Sequence, residues 1–362
     1  MQGKVSAGNL VFSGVLLVLV LALMLVTGSN PIGFSRNAVT RAWKPERALE
    51  LPGRMARAGE NAIFHHEGSR LRKINEAGEV FWEKSLEGVK LLWMGPQGAV
   101  IAAGRGLEMW DPAGGKAFEK GDFLEEPEVL SFRGDFLLVA GKKQGKEYAA
   151  LLNSRGTVLW IVPLEGSAIS GEPLPSGYYT VLNILDEEVS GRAVMINSSG
   201  SVLWEFPVPS LFLALRPAAG GIAAIAEDRI LRLDFEGRTV WEKRLEGAVY
   251  RGDIGDDGYI AAVIREADGK LSGRTGLKIL NLDPEGRPVW SYRLDDIPLF
   301  VKKSGDFTYI AGNEKMLILS REGLLKSTVE LKGALEIDVI DPSRIIVNFD
   351  GKSSLLKISA GR

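Results

Sequence analysis

Residues 197–204 read Asn197-Ser198-Ser199-Gly200-Ser201-Val202-Leu203-Trp204, and residues 153–160 read Asn153-Ser154-Arg155-Gly156-Thr157-Val158-Leu159-Trp160. The shared phrase is a turn-forming polar residue, a glycine three places on, and a tryptophan four places beyond that. It recurs at Asn75, Gly78 and Trp82, at Asp234, Gly237 and Trp241, and at Asp283, Gly286 and Trp290. A variant, Asp111, Gly114 and Phe118, and a worn copy, Ser320, Gly323 and Ser327, bring the number to seven. Successive glycines lie 36, 42, 44, 37, 49 and 37 residues apart. A period near 40 is the mark of a repeat array or propeller, not of a domain with one core.

Asn or Asp can hydrogen-bond its own backbone just ahead, and glycine takes the positive φ that a tight turn demands, so the start of each phrase reads as a hairpin turn. Short branched runs precede the turns, as at 71–74, 149–152, 193–196, 230–233 and 277–280, and a strand ending in Trp follows. Farther upstream lie small, apolar runs such as 98–103 (GAVIAA), 136–140, 221–226 (GIAAIA) and 259–264, read as the crowded inner strands near a central axis. Four strands per period, repeated radially, make an all-β propeller of four-stranded antiparallel blades. The tryptophans read as wedges between blades. Burying about 200 Å² of indole at about 25 cal/mol per Å² is worth at most roughly 5 kcal/mol.

Seven phrases suggest seven blades, but residues 335–340, 344–349 and 355–358 form three more strand-like runs without a turn-and-Trp ending. Residues 38–51 (AVTRAWKPERALEL) hold Trp43 and Leu49, which match Trp82 and Leu86 at the end of the first repeat. An orphan fourth strand from one terminus completes an orphan three from the other, and closure removes the open sheet edges. The expectation is eight blades over 38–362, with seven as the alternative.

Residues 10–26 (LVFSGVLLVLVLALMLV) carry no charge, and with their flanks they are long enough for about 30 Å of hydrocarbon. The chain then divides into a tail (1–9), a transmembrane signal anchor (10–28), a linker (29–37) and the propeller. A cleaved signal peptide ending near Gly28 is the rival reading. Lys4 and the amino terminus oppose Arg36, Arg41, Lys44 and Arg47, so charge counting does not favour an inside N-terminus. The short tail and large C-terminal domain instead lead to an expected single-pass membrane protein with an extracytoplasmic propeller.

With the repeat in view, the chain resembles the quinoprotein, or pyrroloquinoline-quinone-like, β-propeller family, whose repeats end in a D-x-x-x-G-x-x-x-W phrase. Here the phrase is one residue shorter before the glycine. The resemblance covers nearly everything after residue 38 and implies the propeller fold. Quinone-dependent members are longer and carry a vicinal cysteine pair, whereas this chain has 362 residues and no cysteine. The resemblance therefore points to a non-catalytic, BamB-like branch without a cofactor. The missing cysteine also removes disulfides, thiolate metal sites and a lipid-modified N-terminal Cys.

No catalytic constellation stands out. His65 and His66 are adjacent, so they point to opposite faces of a strand. Residues 253–258 (DIGDDG) lack the ladder of oxygen ligands of a calcium loop and read as a turn, and Gly351, Lys352 and Ser353 lack the earlier glycine of a phosphate loop. With 44 basic and 46 acidic residues spread evenly, nothing marks a nucleic-acid surface. Insertions between the second and third strands, at 141–147, 186–192 and 265–276, fall on one face of a propeller. Their cations Lys142, Lys143, Arg192, Arg265, Lys270 and Arg274 are the candidate partner-binding rim. The expected function is a membrane-anchored binding scaffold or sensor for a protein or cell-envelope polymer. The alternative is a small-molecule or redox-cofactor site in the central funnel.

Overall fold

The computed structural model describes residues 43–59, 61–174, 177, 179–186, 190–218, 220–266 and 276–360. Residues 10–28 lie outside them, and among the described residues no helix is long and apolar enough to cross a membrane. Residues 39–362 form one compact unit. It contains eight four-stranded antiparallel sheets, here called blades 1 to 7 (54–85, 90–120, 125–163, 167–208, 212–244, 247–294 and 300–330) and blade 8 (334–360 with 43–52). The first strands of neighbouring blades touch all the way round, including blade 8 against blade 1, so the ring is closed.

Each repeated phrase is a hairpin between the third and fourth strands of a blade. In the first, the Asn75 side-chain oxygen accepts from the amides of Ala77 and Glu79 (2.9 Å each), and the Gly78 amide donates to the Asn75 carbonyl (3.0 Å). The seven phrase glycines have φ between +76° and +86°. A second constraint acts on the same atoms, because the aromatic residue of one blade covers the turn glycine of the next. A Cβ on Gly286 would lie 2.8 Å from Trp241, and one on Gly323 would lie 2.6 Å from Trp290. The indole nitrogens donate into the same turns: Trp82 to Pro112 (3.2 Å), Trp204 to Phe235 (2.9 Å), Trp241 to Pro284 (3.0 Å) and Trp290 to Arg321 (2.8 Å). Phe118 covers Gly156 in the same way, and Trp160 covers Gly200 with its Cβ while its Nε1 has no partner among the described residues. The phrase is thus both a turn and a blade-to-blade latch.

Two sequence expectations need correction. The small, apolar runs such as Gly98–Ala103 and Gly221–Ala226 are the second strands of their blades, one place out from the axis. A second strand is hydrogen-bonded on both edges and covered on both faces, and this is why its residues are buried throughout. The innermost strands have a free edge toward the axis and mixed burial. At the closure, Trp43–Pro52 pairs with Lys352–Ala360 as expected, but Leu49 takes the latch position, with its Cδ1 3.4 Å from a Cβ on Gly78. The register of the closing strand, shifted by a bulge between Arg47 and Leu49, brings Leu49 there. The Trp43 side chain lies outside the described residues.

The seam between blades 8 and 1 is also tied by polar groups. Buried Asn348 accepts from the Met55 amide (3.0 Å) and donates to the Met55 carbonyl (3.1 Å), which satisfies both groups of a strand residue that has no sheet partner on that side. Glu76 reaches across to Arg344 (2.6 Å) and Lys357 (2.7 Å). His65 is buried with Nε2 against the Pro52 carbonyl, while its neighbour His66 is half-buried.

Candidate functional site: the two ends of the central funnel

Alternation of strand direction puts all connections between second and third strands on one face, and the glycine turns together with the connections between first and second strands on the other. On the first face, residues 141–147 prove not to be a loop. Strands Phe136–Lys143 and Lys146–Asn153 run on to a two-residue turn, Gln144 and Gly145, with φ of +53° and +76°. Two positive φ values match the twist of a hairpin, so the insertion is absorbed as extra strand.

Four of the six candidate cations, Lys142, Lys143, Arg192 and Arg265, lie among the described residues. Lys142 is exposed and paired with Glu126 (3.2 Å), whose hydrogen bond raises the ammonium pKa, and Lys143 is exposed beside it. Arg192 is mostly covered, with Glu205 at 3.4 Å and the Glu165 carbonyl accepting its guanidinium. Arg265 is exposed, its guanidinium 5.9 Å from the centre of the Tyr250 ring. Lys270 and Arg274 lie outside the described residues.

The same face carries a feature that the loops did not announce. Near their starts, the innermost strands of blades 2, 3, 4, 5, 6 and 8 each break register by one residue. At these six breaks one residue is left out of the ladder, Leu92, Leu130, Ile169, Leu213, Tyr250 and Leu335; blade 3 has a further break at Glu126 and Pro127, and blade 8 one at Ile340. A bulge re-aims one side chain and leaves it unpaired. All six are apolar or aromatic, and four stand in solvent: Ile169 at 45% exposure, Leu213 at 38%, Tyr250 at 40% and Leu335 at 59%.

The opposite end of the ring is ionic. Glu172 binds Arg133 (2.7 Å) and Arg216 (3.0 Å), and Arg133 continues to Asp256 (3.0 Å), linking blade 3 to blade 6 across the interior. Arg216 donates to the Ile254 carbonyl (3.0 Å). Burial works against its charge, but Asp253, Glu172 and Asp256 outweigh that and hold its pKa above the ordinary value. Asp257 and Asp306 hold Arg321 (2.9 and 2.8 Å), and Asp253 accepts from the Lys303 amide (2.7 Å). The aspartates of the 253–258 turn therefore diverge to separate partners, and among the described residues no group of three His, Cys, Asp or Glu is placed to hold a metal. Lys303 is the exception to this pairing. It is 3% exposed, its Nζ has no hydrogen-bond partner among the described residues and lies 5.5 Å from the Tyr259 ring centre, and burial lowers its pKa.

Sequence reading singled out Arg265 through its insertion but did not single out Tyr250 beside it or the other bulges. The available signal was their phase. Ile169, Leu213 and Tyr250 each fall nine residues after the tryptophan of the preceding blade, Trp160, Trp204 and Trp241.

Strand order and ring closure define a β-propeller of eight four-stranded blades. Comparison with solved structures agrees: BamB from Moraxella catarrhalis is similar at a TM-score of 0.59 and 14% identity, over 87% of this chain and 100% of that one. Sqt1 from Saccharomyces cerevisiae is similar at 0.60 and 11%, over 87% and 97%, and the WD40 propeller domain of Doa1 at 0.53 and 12%, again over 87% and 97%. At such identities the likeness is one of fold, that of a β-propeller. The chain matches no protein-family model and no curated protein sequence.

Proposed function

We propose that this protein is a membrane-anchored, extracytoplasmic and non-catalytic binding scaffold whose bulge-bearing face receives a protein partner. The observation that carries the reading is the set of bulged apolar side chains on that face. A closed ring can bury its apolar residues between blades, and one that holds Ile169, Leu213, Tyr250 and Leu335 in solvent on a single face retains apolar surface suited to contact. The uncharged run at 10–26 supports the anchor. Trp43, the first described residue, is at the turn face of blade 8, opposite the bulge-bearing face.

The test is crosslinking of the full-length protein in living cells, followed by mass spectrometry. Capture of one or two specific proteins, lost when residues 267–275 are trimmed and Tyr250 is changed to Ser, is the expected result. Capture that survives both changes would move the contact elsewhere. A second reading, a small-molecule or quinone-like site inside the funnel, draws on the ionic floor and the unpaired Lys303 amine. It predicts a rise in melting temperature with an added quinone and Ca²⁺, and a flat response rejects it.

A further inference from the structure

Blades 4, 5 and 6 are consecutive, and each presents an exposed bulged side chain on the same face: Ile169, Leu213 and Tyr250. Blade 6 adds charge to this sector. The guanidinium of Arg251 lies 5.7 Å and that of Arg265 5.9 Å from the centre of the Tyr250 ring. Both arginines are exposed, and neither has an ion pair among the described residues. Most described arginines, among them Arg133, Arg216, Arg229, Arg238, Arg287, Arg321 and Arg344, hold carboxylates, while Arg57, Arg155 and Arg232 also have no carboxylate partner among the described residues. Two cations beside one aromatic ring repel each other, and a solvated cation gains little from the ring. An anionic group placed against both would be favoured by charge and by the planar fork of each guanidinium.

We propose that this sector is a docking site for a partner segment in which aliphatic side chains alternate with carboxylates. The aliphatic groups seat on Ile169, Leu213 and Tyr250, and a carboxylate engages Arg251 and Arg265. The proposal rests on the scaffold reading above and adds the chemistry of the partner. A protein segment is favoured over a lipid surface because the apolar groups are separate points, one per blade, set inside the rim of a ring. A bilayer needs a continuous apolar or basic film.

The test uses fluorescein-labelled dodecapeptides, six Leu-Glu repeats against six Leu-Lys and six Ser-Glu repeats, titrated into the propeller and followed by anisotropy. Saturable binding of the Leu-Glu peptide alone is expected. It should weaken at least tenfold in the L213S/Y250S protein. In the R251E/R265E protein it should be lost and replaced by binding of the Leu-Lys peptide. Because the substituted residues are exposed, melting temperatures should stay near that of the parent, and Tyr250→Ser alone provides a milder variant if the double change unfolds. Equal binding of Leu-Glu and Leu-Lys peptides, binding unaffected by either variant, or binding to phosphatidylglycerol vesicles in place of peptide would overturn the assignment. The same variants, crosslinked in cells, separate the two levels of the argument. Partner capture equal to wild type keeps the scaffold and removes this site, whereas no capture by the wild type removes the scaffold reading itself.

Discussion

His66 shows how much one side chain's surroundings decide. It is half-buried on strand Ala62–Glu67, and burial is the largest influence on its imidazole, favouring the neutral form. The charges of Arg54 and His65 push the same way, and a hydrogen bond with the backbone of Gly68 opposes them. Its pKa in the fold therefore lies below the ordinary 6.5. The unfolded chain then binds the proton more readily, so the contribution of His66 is complete above the unfolded pKa and is lost as pH falls through the folded one. Glu76 and Asp341 also have lowered pKa values, but their contributions are lost only as pH falls below their ordinary 4.5 and 3.8. Melting temperature should accordingly decline from pH 7.5 to pH 5.5 in the wild type, and His66→Gln should flatten that slope. Parallel slopes in the two proteins would show that His66 is not the group responsible. The sequence showed only that two adjacent histidines cannot share a metal; which of them is buried depends on the blade 8 closure, 13 residues before His65 and nearly 300 after it.

At the scale of the element, the repeat phrase carries two demands on one glycine, and they can be separated by experiment. Gly286 has φ +79° and no room for a Cβ, which would meet Trp241 at 2.8 Å. Gly305 has φ +52° and nothing within 4 Å of the same position. Gly305→Ala should cost only the left-handed backbone, about 1 kcal/mol. Gly286→Ala adds displacement of a packed indole and of its hydrogen bond to Pro284, for roughly 3 kcal/mol in total. Chemical denaturation of both variants measures the difference, and equal losses would mean that the indole yields freely. The same elements explain what was legible in advance. A turn, its capping Asn or Asp and its glycine are local, so the sequence states them outright, and the orphan strand runs at the two ends of the propeller bring the count from seven phrases to eight blades. The bulges are set by how an innermost strand meets the second strand beside it. In sequence, Val249-Tyr250-Arg251 merely loses its alternation for one step. The inserted run 141–147 looked like a loop because its charges are polar signals in any conformation, yet a turn of two positive-φ residues lets it extend the sheet.

At the scale of the whole molecule, the ring depends on a strand borrowed from the other end of the chain. Trp43–Pro52 supplies the fourth strand of blade 8, and Leu49 and Leu51 pack on Met55, Ile63, Ile74, Ile340, Ile346 and Leu355. Glu50 adds contacts to Lys352 (3.4 Å) and Ser354 (3.1 Å). Without the closing strand, Lys352–Ala360 becomes an open edge, and among the described residues the seam is left with blade-to-blade contacts such as those of Asn348 with Met55. Two half-buried leucines and the lost ladder are worth about 4 kcal/mol, which for a domain of this size corresponds to a fall in melting temperature of roughly 6 °C. Chains beginning at residue 43 and at residue 53 should therefore differ by about that amount, and adding a peptide of residues 43–52 to the shorter one should restore part of it. A shorter chain that melts within about 2 °C of the longer one would mean that the seam contacts alone hold the ring closed. In that case the apolar side chains presented by the innermost strands would keep their positions without the terminal strand, and the bulge-bearing face would be independent of the closing strand.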